Sequence, residues 1–73
     1  MSNLHRYDEV QAIKVVAARS GLRDTHDNGV CLVLHAQSTD VLLGCAEQLT
    51  ELGLGGMKNL VPSTKGYDLF VQI

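Results

Sequence analysis

The sequence predicts a small two-layer α+β domain with a mostly antiparallel sheet and elements in the order αβαββ. Three stretches carry that prediction. Residues 30–36 form a near-continuous apolar run of strand length. Residues 38–52 carry one apolar stripe at helical spacing and stop at Gly53. Residues 67–73 alternate, with Tyr67, Leu69, Val71 and Ile73 on one side and Asp68, Phe70 and Gln72 on the other.

In the 30–36 strand, Val30, Leu32, Leu34 and Ala36 point one way and Cys31, Val33 and His35 the other. Both sides are apolar, which implies burial on both faces or one face reserved for another molecule. If both helices cover one face of the sheet, the other shows Cys31, Val33, His35, Phe70 and Gln72, an apolar patch of the kind that marks a protein-binding surface. The exposure of Phe70, the chain's one phenylalanine, decides between a patch and a second core. His35 is expected to be a satisfied core histidine.

The 38–52 helix has Ser38 or Thr39 as its cap and Asp40 in its first turn. Its stripe is Val41 or Leu42, Cys45, Leu49 and Leu52, opposite Glu47, Gln48, Thr50 and Glu51. Gly44 costs about 1 kcal/mol against Ala inside a helix, so it is expected to serve a close backbone approach.

Residues 8–19 are expected to be helical, with Asp8 as N-cap and Gly21 as the stop. Val10, Ile13, Val16 and Ala17 share one side and Val15 falls off it. The β-branched residues leave a strand as the alternative, which changes the order to ββαββ. Residues 1–7 are polar and aperiodic, and are expected to form a flexible arm ahead of a single domain over 8–73. Residues 22–29 make a polar connection with a turn at Asn28-Gly29. Residues 57–61 and 67–73 form a terminal hairpin whose turn is 62–66.

Seventy-three residues make one domain of modest stability. The net charge is −2 and only six Lys/Arg are present, so a whole-domain grip on nucleic acid is not favoured. Four of those six precede residue 24, which leaves a local basic bias and a secondary reading as a small nucleic-acid-binding module. Two cysteines, Cys31 and Cys45, are expected to be reduced and buried. No secretory leader or membrane span is recognisable, which points to the cytoplasm.

Catalytic, metal and cofactor motifs are not found. The adjacent His26-Asp27 has no companion ligand nearby. The Gly53-Leu54-Gly55-Gly56 run follows a helix, where the dipole has the wrong sign for phosphate. The residues therefore favour a non-enzymatic protein-binding regulator. A homodimeric structural domain is a further alternative, pairing through the last strand's edge or the Cys31/Val33/Phe70 face.

The length, the polar Ser2-Asn-Leu-His-Arg-Tyr7 segment and the compact α/β body resemble the small antitermination regulators of phages, such as that of a Xanthomonas phage. The resemblance implies binding to the large subunits of host RNA polymerase, σ displacement and suppressed termination, in the host cytoplasm. It implies His5, Arg6 and Tyr7 as an anchoring limb, with Arg19 and Arg23 facing acidic protein or emerging RNA. Phe70 completes the candidate partner-binding set, from its place on the patch.

Overall fold

Two glycine-terminated helices and four strands make up the chain in a computed structural model that describes residues 5–22 and 25–73. They run α1 (Arg6–Arg19), β1 (His26–Asp27), β2 (Cys31–Ala36), α2 (Thr39–Glu51), β3 (Lys58–Ser63) and β4 (Gly66–Gln72). The α+β class is as expected, and the order is αββαββ. The added element, β1, lies inside the segment expected to be a polar connection. Its two residues pair with β2 as His26↔Val33 and Asp27↔Leu32, and both side chains are exposed. A two-residue polar strand has no hydrophobic period to betray it.

The 8–19 segment is helical, but the helix starts at Arg6 with His5 in the N-cap position and no side-chain cap bond. Arg6 and Tyr7 are thus first-turn residues rather than part of an arm, and Asp8 is not the cap. Asp8 and Glu9 instead sit in the first turn, where negative charge complements the helix dipole. Residues 1–4 of the expected arm lie outside the described residues.

Both helices end the same way. Gly21 (φ 86°) and Gly53 (φ 70°) take the left-handed conformation. Leu22 N–H donates to Ala17 O and Gly21 N–H to Ala18 O; Leu54 N–H donates to Leu49 O and Gly53 N–H to Thr50 O. These are paired Schellman bonds, and each throws the following leucine back onto the core. Leu22 and Leu54 are accordingly buried. At the start of α2, Ser38 Oγ accepts from Asp40 N–H at 3.2 Å, the expected cap.

The sheet order is β1-β2-β4-β3, antiparallel throughout. Because β2 and β3 both run against β4, they are parallel to each other, and β2–α2–β3 is a β-α-β unit split by β4. By the same reasoning β4 and β1 are parallel around β2. The first turn of α1 lies close to the end of β4: Glu9 Oε2 accepts from Gly55 N–H at 2.8 Å, and Gly56 N–H donates to Gln72 O at 2.6 Å. Two interleaved split units are the ferredoxin-like β-α-β-β-α-β arrangement with its first strand moved to the chain end. Such connectivity is shared by many activities and assigns none.

The core is one cluster on one side of the sheet. Val10, Ile13, Val16 and Ala17 of α1 and Leu42, Cys45 and Leu49 of α2 pack with Leu32, Leu34, Leu69 and Val71. Both helices therefore cover the same face. Gly55 (φ 72°) lies against it, where an added Cβ would stand 2.5 Å from Val71 Cγ1. Gly44 is different from expectation: it is exposed, and nothing lies within 4 Å of where its Cβ would be.

β3 runs further than expected, because Pro62 and Ser63 stay in the strand and only Thr64 and Lys65 make the turn. The hydrogen bonds explain this. Gly56 N–H and Met57 O both meet Gln72, two residues against one, a bulge that fixes the phase of the ladder. Alternation from Gln72 directs the backbone of Asn59, Val61 and Ser63 toward β4, and that of Lys58, Leu60 and Pro62 outward. Proline, which has no N–H to give, occupies an outward position of an edge strand.

Candidate protein-docking face

The side of the sheet away from the helices is built by strand parity. Register places His26, Val33, Phe70 and Asn59 in one row across all four strands. His35, Asp68 and Val61 form the next row, and Cys31 pairs with Gln72 on the other flank. Among the described residues no element covers this face. Cys31, Val33, His35 and Phe70 are all half-buried by their lateral neighbours alone, and Val61 is exposed. Phe70 is thus neither a core residue nor fully in water.

One polar contact organises the face. His35 Nδ1 and Asp68 Oδ1 are 2.7 Å apart, with both side chains partly exposed. The imidazole is satisfied as expected, but on the open face and not in the core. Asp68 carried no signal of its own in the sequence. Its sharing a side with Phe70 was readable, whereas its partnership with His35 needs the β2–β4 register.

The candidate binding residues do not converge. His5 is exposed at the start of α1, and Tyr7 is exposed in its first turn. Arg6 is engaged: its Nη2 and Nη1 donate to Asp27 Oδ1 and Oδ2 at 2.8 and 3.2 Å. Arg19 is exposed in the last turn of the same helix, about 20 Å along the axis from Arg6. Phe70 stands on the opposite side of the sheet from both helices. Arg23 lies outside the described residues.

Asp27 shows what has become of the His26-Asp27 pair. The Arg6 guanidinium, a hydrogen bond from Gly29 N–H and the nearby Lys14 charge hold its carboxyl down at about 2. The same contact raises Arg6 above its ordinary value. A carboxylate so committed is a fastener between α1 and β1 and a poor proton acceptor. Among the described residues no group of three or more His, Cys, Asp and Glu side chains is placed to hold a metal ion. In the glycine run, the N–H groups of Gly55 and Gly56 are bonded to Glu9 and Gln72, so neither points to a free anion.

A cleft of about 400 Å³ is lined by Lys14, Ala18, Leu22 and Thr25, on the far side of the molecule from Phe70. Its described lining is one charged group, an alcohol and two apolar side chains. Both cysteines are free: Cys31 half-buried on the open face, Cys45 in the core. Burial pushes the Cys45 thiol up, and the neighbouring Ser20 side chain partly offsets it. No described helix is long and apolar enough to cross a membrane.

Comparison with protein-family models, with curated proteins and with solved structures finds no match to this chain.

Proposed function

We propose that the chain is a non-enzymatic, protein-binding regulator that docks through the open face of its sheet. The observation that carries this reading is Phe70, half-buried and uncovered at the middle of that face between Val33 and Asn59. An aromatic anchor beside Val33 and Val61, edged by Asn59, Asp68 and Gln72, has the mixed apolar and polar surroundings in which aromatic hot spots occur. The resemblance to small phage antitermination regulators supplies the partner: the large subunits of bacterial RNA polymerase, in the host cytoplasm. The mechanism is occlusion, in which a rigid body of 7.9 kDa blocks a competing protein or the nascent transcript. Tyr7 and Arg19, exposed on α1 across the sheet from Phe70, lie outside this docking face.

The nucleic-acid alternative has less support. Among the described residues no Lys or Arg stands at a strand position of the open face, and Arg6 is neutralised by Asp27. Phosphate binding needs just such cations.

The test is co-purification of the full chain with bacterial RNA polymerase, using wild type and Phe70→Ser. Polymerase retained by the wild type and lost by Phe70→Ser supports the reading. Retention by both overturns the proposed surface, and retention by neither overturns the proposed partner.

A further inference from the structure

We propose that the open sheet face takes an arginine-bearing segment of its partner, whose guanidinium lies on the Phe70 ring and is held by Asp68. This rests on the docking face proposed above and specifies the chemistry it recognises.

Asp68 and Phe70 lie two residues apart on one strand and share a face, with their Cα atoms about 7 Å apart along β4. His35 occupies Oδ1 of Asp68 and fixes the carboxylate's orientation. Among the described residues Oδ2 accepts no hydrogen bond. Among the described residues Asp68 is the one carboxylate in the strand rows of this face, and no Lys or Arg pairs with it. An oriented carboxylate beside an aromatic ring suits a planar cation, which stacks on the ring while its N–H groups reach the oxygen. A lysine ammonium, compact and strongly hydrated, makes poorer use of the ring. Val33 and Val61 flank the pair and fit the apolar neighbours of such an arginine in an extended or helical segment.

The dimensions argue against a second copy as the occupant. The three long strands span roughly 14 Å across and 20 Å along, about 300 Å² of face. A stable pair of folded bodies needs about 800 Å² from each side. Edge-to-edge growth of the sheet is opposed by Lys58 and Pro62 at outward positions of β3. A flexible segment that places one arginine is the occupant that the area and the charge both fit.

The test is a ¹⁵N–¹H NMR titration of the intact chain with a blocked Leu-Arg-Leu-Arg-Leu peptide and with its uncharged citrulline counterpart. Shifts at Val33, His35, Asp68 and Phe70 are expected, with the arginine peptide bound about fivefold or more tightly than the citrulline peptide. Asp68→Asn is expected to abolish that preference, with unchanged spectral dispersion showing that it folds. His35→Gln, which leaves the carboxylate in place but unoriented, is expected to reduce it. Equal binding of both peptides at the open face, or an arginine preference that survives Asp68→Asn, overturns the inference while leaving the docking face standing. Shifts confined to the helices overturn the inference and the docking face together. Concentration-dependent broadening of the same residues without peptide identifies a second copy as the occupant and overturns the inference.

Discussion

Arg6 and Asp27, 21 residues apart, are joined by two side-chain hydrogen bonds of 2.8 and 3.2 Å that fasten the first turn of α1 to the short edge strand β1. The bond reaches further than its own two residues. Asp27 Oδ1 also accepts from Gly29 N–H, and Asn28 Oδ1 accepts from Val30 and Cys31 N–H. One carboxylate thus couples the helix start, the edge strand and the Asn28-Gly29 turn that leads into β2.

This coupling sets an acid dependence. The Asp27 carboxyl is lowered from 3.8 to about 2 in the folded chain, so its contribution to stability is complete above about pH 5. It fades as pH falls toward 2. Both side chains are exposed, so the effect is small and screened by salt. Thermal unfolding followed between about pH 5 and 2 should show a steeper decline for wild type than for Asp27→Asn. Equal slopes in the two proteins would remove Arg6–Asp27 from the account.

Two glycines predict opposite outcomes. Gly44 is exposed inside α2 with nothing near its missing Cβ. Gly44→Ala should therefore stabilise by about 1 kcal/mol and raise the melting temperature by roughly 4–8 °C. Gly55 has φ 72° and would place a Cβ 2.5 Å from Val71 Cγ1. Gly55→Ala should destabilise by about 1–3 kcal/mol, through backbone strain and overpacking. Chemical denaturation of the two variants against wild type checks both signs.

Much of the layout was legible because hydrophobic period and glycine stops are local signals. The stripe of Val10, Ile13, Val16 and Ala17, the Ser38 cap, and the stops at Gly21 and Gly53 stand where residue spacing puts them. What followed the stops was not read: Leu22 and Leu54 looked like loop residues, yet the Schellman geometry makes them core. Gly44 shows the reverse error, since a tolerated glycine and a required one look alike without neighbours. The composition of the open face was readable from strand parity. Its internal chemistry was not, because His35 and Asp68 meet across strands 33 residues apart in sequence. The dispersion of Tyr7, Arg19 and Phe70 over separate surfaces also depends on three-dimensional placement.

The thiols should report the two sides of the sheet separately. Cys31 faces the open side and is half-buried, whereas Cys45, on the inner side of α2, is 1% exposed with its thiol pushed up by burial. Lying on opposite sides of the sheet, Cys31 on β2 and Cys45 on α2 cannot form an intramolecular disulfide without disrupting the fold. A native titration with an aromatic disulfide reagent should modify Cys31 first, and Cys45 only as denaturant unfolds the chain. Simultaneous reaction of both in the native protein would contradict the packing of α2 on β2.

The same two-sidedness should appear in stability. Leu34 is fully buried, paired with Leu69 on β4 and in one cluster with Leu42 and Leu49 of α2. Leu34→Ala removes those contacts and leaves a cavity, at a cost of about 2–5 kcal/mol. A chain of this length has a total stability of about 4–11 kcal/mol, so the variant should be largely unfolded or have a sharply lower denaturation midpoint. Val33, the next residue along β2, points to the open face and has no core contact to lose. Val33→Ala should cost about 1 kcal/mol or less, chiefly in strand propensity and lateral packing against Phe70. If the open face is the docking face, Val33→Ala should weaken partner binding while Leu34→Ala acts only through loss of folded protein. Denaturation midpoints and binding measured on the same preparations separate these effects, and equal stability losses at the two positions would mean that the sheet is covered on both sides.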